Sequence, residues 1–306
     1  MKRNNTTTTA RAGNLLAFIA TVFAAMDAQG HGEDHEHASP ARPIPSNAVA
    51  AGYAAQAAHR FDEAITLLEV ADTRGQLDDP GRLLLASVYL VKGDAGRARK
   101  TCSQLDASTV LIVLTCRART ALSLGDFAAE RRQLDAMLSL VTPVDAQDAW
   151  LAWSFAVAGD LAAADNDRNA GEILYRRSLA LHDSAQVRAA LADLLIAEAR
   201  WRDVIALTGP EHASLALDVR RLIAARRLGN ADSVVHEIER LDAQFERWMA
   251  AGNWLHAREM ARFYFDVADR PALAARIAGI NLDLQRERED LRLAARSPSP
   301  DEKRHP

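Results

Sequence analysis

Three stretches of the sequence share one pattern, and this pattern decides the fold. Residues 60–65 read RFDEAI, residues 93–98 read GDAGRA and residues 125–130 read GDFAAE. Each stretch is a turn followed by the first residues of an amphipathic helix, and the pattern recurs about every 33 residues. A period in this range predicts helical hairpins that stack on one another.

The pattern continues more loosely towards the C-terminus. Later copies read RWRDVI, GNADSV and DRPALA, at residues 200–205, 229–234 and 269–274. Period-two alternation is essentially absent, and the one strand-like run, residues 109–115, lies within a longer helical pattern. We therefore predict an all-α fold, a right-handed solenoid of about seven helical hairpins.

Small and aromatic residues occupy fixed positions in the first two units, where helices are expected to touch. These residues are Gly52, Ala64, Ala86, Tyr89 and Ala98. Ala64 and Ala98 lie 34 positions apart, and in this spacing the chain resembles the tetratricopeptide repeat family. The resemblance implies a concave surface, formed by the first helix of each hairpin, that holds a peptide or a partner protein.

The two ends of the chain differ from the repeats. Residues 1–28 place basic residues before a short apolar run, which predicts a secretory signal peptide, with an uncleaved N-terminal anchor as the alternative. Residues 29–45 are expected to form a flexible leader, residues 46–296 the solenoid with a polar closing helix, and residues 297–306 a disordered tail. We expect a periplasmic protein whose mature chain has no stable membrane span.

The charge pattern argues against a nucleic-acid partner. The formal net charge is −4, and acidic and basic residues are mixed along most helices, as in residues 286–290 (RERED). Such mixing predicts solvated helix faces with weak local ion pairs. The sequence has no sustained cationic stripe of the kind that follows a phosphate backbone.

Candidate catalytic motifs are missing from the sequence. It contains no GxSxG, no HExxH and no phosphate-binding glycine loop. Paired carboxylates, Asp78 with Asp79 and Asp165 with Asp167, fall at predicted helix starts, where they cap free amides. We expect no enzymatic activity and no catalytic residue.

The two cysteines, Cys102 and Cys116, are spaced to bridge consecutive helices of units two and three. Export would place them where a disulfide persists. We expect a disulfide, and the alternative is a pair of buried thiols that act as small apolar side chains.

Three histidines, His31, His35 and His37, alternate with carboxylates directly after the predicted cleavage point. Imidazole and carboxylate groups together suit copper, nickel or zinc. The alternative is a solvated polar leader without a metal, and we expect no other cofactor.

Two tryptophans, Trp150 and Trp153, share a predicted helix face. Large side chains at helical spacing usually belong to the core. The alternative is that they line the concave groove and anchor a ligand.

Two functions of different classes fit these features. The first is a non-catalytic periplasmic scaffold that binds a peptide or partner protein in its groove. The second is a metal-linked accessory protein that uses the histidine-rich tail. A third possibility is an accessory protein of cell-wall enzymes, and the sequence contains no motif for the chemistry of those enzymes.

Overall fold

The computed structural model describes residues 47–106, 110–141, 149–209, 212, 214–229 and 231–296. Within these residues it contains fifteen helices and no strand, which confirms the predicted all-α fold. The predicted signal peptide, leader and C-terminal tail lie outside the described residues. None of the described helices combines the length and the apolar surface that a bilayer crossing requires.

The described helices form seven consecutive pairs and a terminal helix. The pairs are α1 (Ala48–Ala57) with α2 (Phe61–Thr73), α3 (Asp79–Val91) with α4 (Ala95–Cys102), α5 (Val110–Leu124) with α6 (Ala128–Leu140), α7 (Ala149–Ala164) with α8 (Arg168–Leu181), α9 (Ala185–Ala197) with α10 (Trp201–Leu207), α11 (Leu215–Arg227) with α12 (Ala231–Ala250), and α13 (Ala257–Asp266) with α14 (Pro271–Leu284). The terminal helix is α15 (Arg288–Ala295). The strand-like run at residues 109–115 is helical from Val110, as predicted.

The helices are stacked in order along the chain. The two helices of each pair contact one another, and each odd-numbered helix also contacts the next odd-numbered helix, from α1 to α15. The odd-numbered helices therefore form a continuous layer. This inner layer supplies most of the residues that line the candidate site.

The turn inside every pair contains one residue with a positive backbone φ. These seven residues are His59, Gly93, Gly125, Asn166, Ala199, Gly229 and Asp269. Three of them are glycines, for which this left-handed conformation is free of the steric cost that a side chain adds. The same backbone turn recurs at each repeat although the residue type changes, so the repeat is more regular in structure than in sequence.

Short acidic side chains start several helices. Asp78, Asp94 and Asp167 each accept a hydrogen bond from the backbone amide three residues further on, at 3.0, 2.9 and 3.2 Å. Such caps satisfy amides that have no partner inside the helix. This is the role predicted for Asp78 and Asp167.

The small residues of the first two units lie where helices touch. Ala64 and Ala98 are fully buried, and Ala86 and Tyr89 are almost fully buried. A β-carbon on the buried Gly52 would lie 2.7 Å from the Leu68 side chain, closer than side chains approach. Glycine at position 52 therefore allows α1 to pack closely against α2.

A disulfide joins the second and third pairs. Cys102, the last residue of α4, is bonded to Cys116 in α5, and their α-carbons are 5.7 Å apart. Both side chains are buried. The predicted disulfide is confirmed over the alternative of two free thiols.

Candidate functional site

A cavity of about 520 Å³ lies against the inner layer of helices. Residues from all seven helix pairs line it, together with residues 285–296, which we call the C-terminal segment. Cavities of a few hundred Å³ are the usual size of ligand sites. The lining combines apolar side chains with an unusual number of paired charges.

The first charged group is centred on Arg119 of α5. Its Nη1 donates to Asp160 Oδ2 at 2.7 Å, and its Nη2 donates to Glu287 Oε1 at 3.0 Å. The hydroxyl of Tyr175 donates to the other Asp160 oxygen at 2.8 Å. Arg119 therefore links the third and fourth pairs to the C-terminal segment.

The second charged group is centred on Asp193 of α9. Arg220 donates to its Oδ2 at 2.7 Å, and Arg262 lies 2.5 Å from its Oδ1. Arg220 also donates to Glu259 at 3.2 Å. Burial by itself would raise the pKa of the Asp193 carboxyl, but the charges and hydrogen bonds of the two arginines lower that pKa below its usual value.

The third charged group is centred on Arg258 of α13. Its Nη2 donates to Glu287 Oε2 at 2.8 Å, and its Nε donates to Asp290 Oδ1 at 2.6 Å. Asn281 donates to the same Asp290 oxygen at 2.6 Å. Burial would raise the pKa of Glu287, but Arg258 and then Arg119 lower it below its usual value.

Backbone contacts hold the C-terminal segment against the second helix pair. The amide of Arg286 donates to the carbonyl of Val91 at 2.6 Å. Just before the segment, the carbonyl of Asp283 accepts a hydrogen bond from Lys92 at 3.3 Å. The chain therefore runs from the seventh pair across the inner layer to the second pair.

This position corrects one expectation from the sequence. Residues 286–290 were expected on a solvated helix face, but the side chain of Asp290 is fully buried and that of Glu287 is 19% exposed. The polar closing helix also covers apolar surface of the last pairs through Leu293. Glu287 at its start also pairs with Arg119 of the distant third pair, and Glu287 and Asp290 pair with Arg258 of the neighbouring seventh pair.

Two histidines also line the cavity, His59 and His256. Burial, and then the charges of His256 and Arg258, lower the pKa of His59 to about 4. Burial also lowers the pKa of His256, against the opposite effect of Glu259. Both imidazoles are therefore neutral near pH 7, and they add hydrogen-bonding groups without adding charge.

The two tryptophans pack against the core, the placement that the sequence favoured over the groove. Trp150 and Trp153 contact each other edge to face, with ring centroids 6.0 Å apart, and both pack against the apolar core. Neither lines the cavity. Its polar lining comes instead from Arg119, Asp193 and Arg258, which the sequence analysis did not select because their partners are remote in sequence.

The predicted metal ligands, His31, His35 and His37, lie outside the described residues, so that site stays a prediction. Across the residues that the structure describes, no group of three or more histidine, cysteine, aspartate or glutamate side chains is arranged to hold a metal ion.

The arginines of the cavity hold carboxylate groups of the chain itself. Guanidinium groups bind carboxylates through two parallel hydrogen bonds, and such charge-assisted bonds are the strong ones in proteins. Arg119, Arg220 and Arg258 all line the same cavity, and each is paired with two carboxylates of the chain.

Comparison of the chain with protein-family models, with curated proteins and with solved structures found no match.

Proposed function

We propose that this protein is an exported, non-catalytic binding scaffold, a right-handed solenoid of the tetratricopeptide type whose inner cavity holds a peptide segment of a partner protein. One observation carries the proposal. Polypeptide already occupies the inner layer, because the C-terminal segment lies there with Glu287 between Arg119 and Arg258. Because the inner layer accommodates this segment of the chain itself, it has the shape and the charges to bind a similar peptide segment of a partner protein.

The repeat geometry supports the solenoid. Seven helix pairs follow one another, the odd-numbered helices contact in order, and a left-handed residue occurs in the turn of each pair. In tetratricopeptide-like solenoids stacked pairs of this kind create an extended concave binding surface. The inner layer matches the surface that the resemblance predicts for a partner.

The disulfide supports export. Disulfides persist in oxidising compartments and are rare where thiols are kept reduced. Cys102 and Cys116 are bonded, and the first 28 residues have the composition of a secretory signal. A periplasmic location agrees with both observations.

Photo-crosslinking tests the proposed function. A photoreactive amino acid at Gln186, which lines the cavity, should trap a partner protein in cells. The matched control is Gln133, an exposed glutamine on α6 that does not line it. We expect one defined adduct from position 186 and none from position 133.

Two results would contradict the scaffold function. Adducts from position 133 alone would place binding on the outer helices. No adduct from either position, in a protein that is exported and folded, would remove the groove as a partner site.

A further inference from the structure

The C-terminal segment indicates which kind of partner the cavity can bind. Building on the proposed function, we propose that the partner presents an acidic helix start, with two carboxylates three residues apart, and that the C-terminal segment occupies the same arginines until this partner displaces it.

Charge holds the segment more than apolar packing does. Helix α15 has eight residues, and Leu293 is its only buried leucine, whereas Leu291 is 52% exposed. Asp290 is fully buried, Leu293 is 2% exposed and Glu287 is 19% exposed. Arg119 and Arg258 therefore recognise the carboxylates of the segment, and a small apolar contact through Leu293 and Ala294 adds to these charged contacts.

The spacing of the carboxylates matches the start of a helix. Glu287 is the N-cap residue of α15, and Asp290, three positions later, accepts a hydrogen bond from the Glu287 amide at 2.8 Å. This reciprocal arrangement is a capping box. It directs both carboxylates towards Arg258, so any helix start with the same pair of acidic residues can present them in the same way.

Arg258 depends on these two carboxylates. The described structure gives its guanidinium two acidic partners, Glu287 and Asp290. Arg119, by contrast, keeps Asp160 when Glu287 leaves. A cation left unpaired in a cavity is unfavourable, so release of the segment requires that another carboxylate replaces it. Exchange against an acidic partner satisfies this requirement.

Release of the segment would expose the apolar surface of the seventh pair that Leu293 covers, but it would not separate the seven helix pairs from one another. Helix α15 follows the last pair, and the contacts between successive pairs do not pass through it. The segment is thus the part of the chain that can leave the cavity without breaking the stack.

A peptide-binding experiment tests the proposal with the chain's own sequence as the probe. A labelled synthetic peptide, LQREREDLRLAAR, copies residues 284–296. It is titrated into the full-length protein and into a double variant, Glu287→Gln with Asp290→Asn, which weakens the internal segment. We expect the double variant to bind the peptide at least about tenfold more tightly, because the internal segment competes at a high effective concentration.

Two controls link binding to the carboxylates. The same peptide with glutamine at position 287 and asparagine at position 290 should not bind. Addition of Arg258→Gln to the double variant should weaken binding of the acidic peptide at least about tenfold, because the paired hydrogen bonds are lost. Circular dichroism and hydrogen exchange of residues 288–295 report whether each variant is folded and whether its segment is released.

Three results would overturn the proposal. In one, a folded double variant with a released segment fails to bind the acidic peptide. In the second, both peptides bind equally. In the third, residues 288–295 stay protected in the double variant, which would make α15 a fixed part of the fold. Adducts from Gln186 in any of these cases would leave the scaffold function standing and reject only the acidic partner.

Discussion

The carboxylate of Glu287 accepts a hydrogen bond from Arg119 at 3.0 Å, although the two residues are 168 positions apart in the chain. Arg119 belongs to the third helix pair, and Glu287 follows the seventh. This contact therefore closes the inner layer over its cavity, and it explains how a short terminal helix is held by a distant part of the molecule.

Replacement of this carboxylate tests its contribution to stability. We expect Glu287→Gln to lower the free energy of unfolding by about 1–3 kcal/mol, because charge-assisted hydrogen bonds to Arg119 and Arg258 are lost. Urea unfolding measures the change.

The matched control for this variant is Glu63→Gln. Glu63 pairs with Arg60, and both side chains are nearly half exposed, so we expect a loss of no more than about 1 kcal/mol. Equal losses of unfolding free energy in the two variants would mean that the Glu287 contacts stabilise the protein no more than an exposed ion pair does.

The disulfide gives a second prediction. Replacement of Cys102 and Cys116 by alanine should lower the free energy of unfolding by about 3 kcal/mol, because the unfolded chain regains the freedom of a short closed loop. Urea unfolding with and without reductant measures this. Thiol labelling of denatured wild-type protein is the control, and two labelled thiols there would contradict the bond.

Two helical glycines give opposite predictions. A β-carbon at Gly159 would lie 2.7 Å from the Tyr175 ring, so Gly159→Ala should displace Tyr175 from Asp160 and destabilise the protein by about 1–3 kcal/mol. Gly279 has open space around it, and Gly279→Ala should stabilise helix α14 by about 0.5–1 kcal/mol. Thermal unfolding compares the two variants, and a Gly159→Ala protein as stable as wild type would contradict the packing around Tyr175.

Much of the fold followed from the sequence because local rules set it. The helix starts at Asp78 and Asp167 have the predicted caps, and the strand-like run from Val110 is helical. The disulfide followed from the spacing of Cys102 and Cys116 along consecutive helices. Each of these features depends on residues that are close together in the chain.

The candidate site did not follow from the sequence because its contacts join remote residues. Asp160 is 41 positions from Arg119, and Glu287 is 168 positions from it. In the sequence, residues 286–290 resemble any solvated run of mixed charge. Asp290 is buried against Arg258 and Asn281 of the seventh pair, and the charge pattern of residues 286–290 does not predict that packing.

The buried histidine gives a prediction for pH. His59 has a folded-state pKa of about 4, lowered chiefly by burial, whereas an unperturbed histidine titrates near about 6.5. Between these two values the unfolded chain binds a proton that the folded chain excludes, so stability should fall as the pH decreases from about 6.5 to about 4. Urea midpoints measured across this range report the slope.

A matched pair of variants measures how much of this slope His59 contributes. His59→Asn should reduce the pH dependence and leave the part that comes from His256, whose pKa is also lowered by burial, and asparagine tolerates the left-handed backbone at position 59, where φ is 56°. His236→Asn alters a side chain that is 97% exposed and should leave the slope unchanged. The same slope in wild type and in His59→Asn would show that His59 is not the responsible group.

The most direct test of the account is disulfide trapping of the C-terminal segment on the second helix pair. A β-carbon at Gly93 would lie 3.0 Å from that of Arg286, close to the separation of about 3.5–4.5 Å in disulfides. Gly93→Cys with Arg286→Cys should therefore form a bond on mild oxidation, read by peptide mapping. Gly229→Cys with Arg286→Cys is the control, because Gly229 also has a positive φ but no atom near its β-carbon, and it should stay reduced. A bond at position 93 alone is the predicted result; a folded protein in which positions 93 and 286 stay reduced would contradict the closed inner cavity.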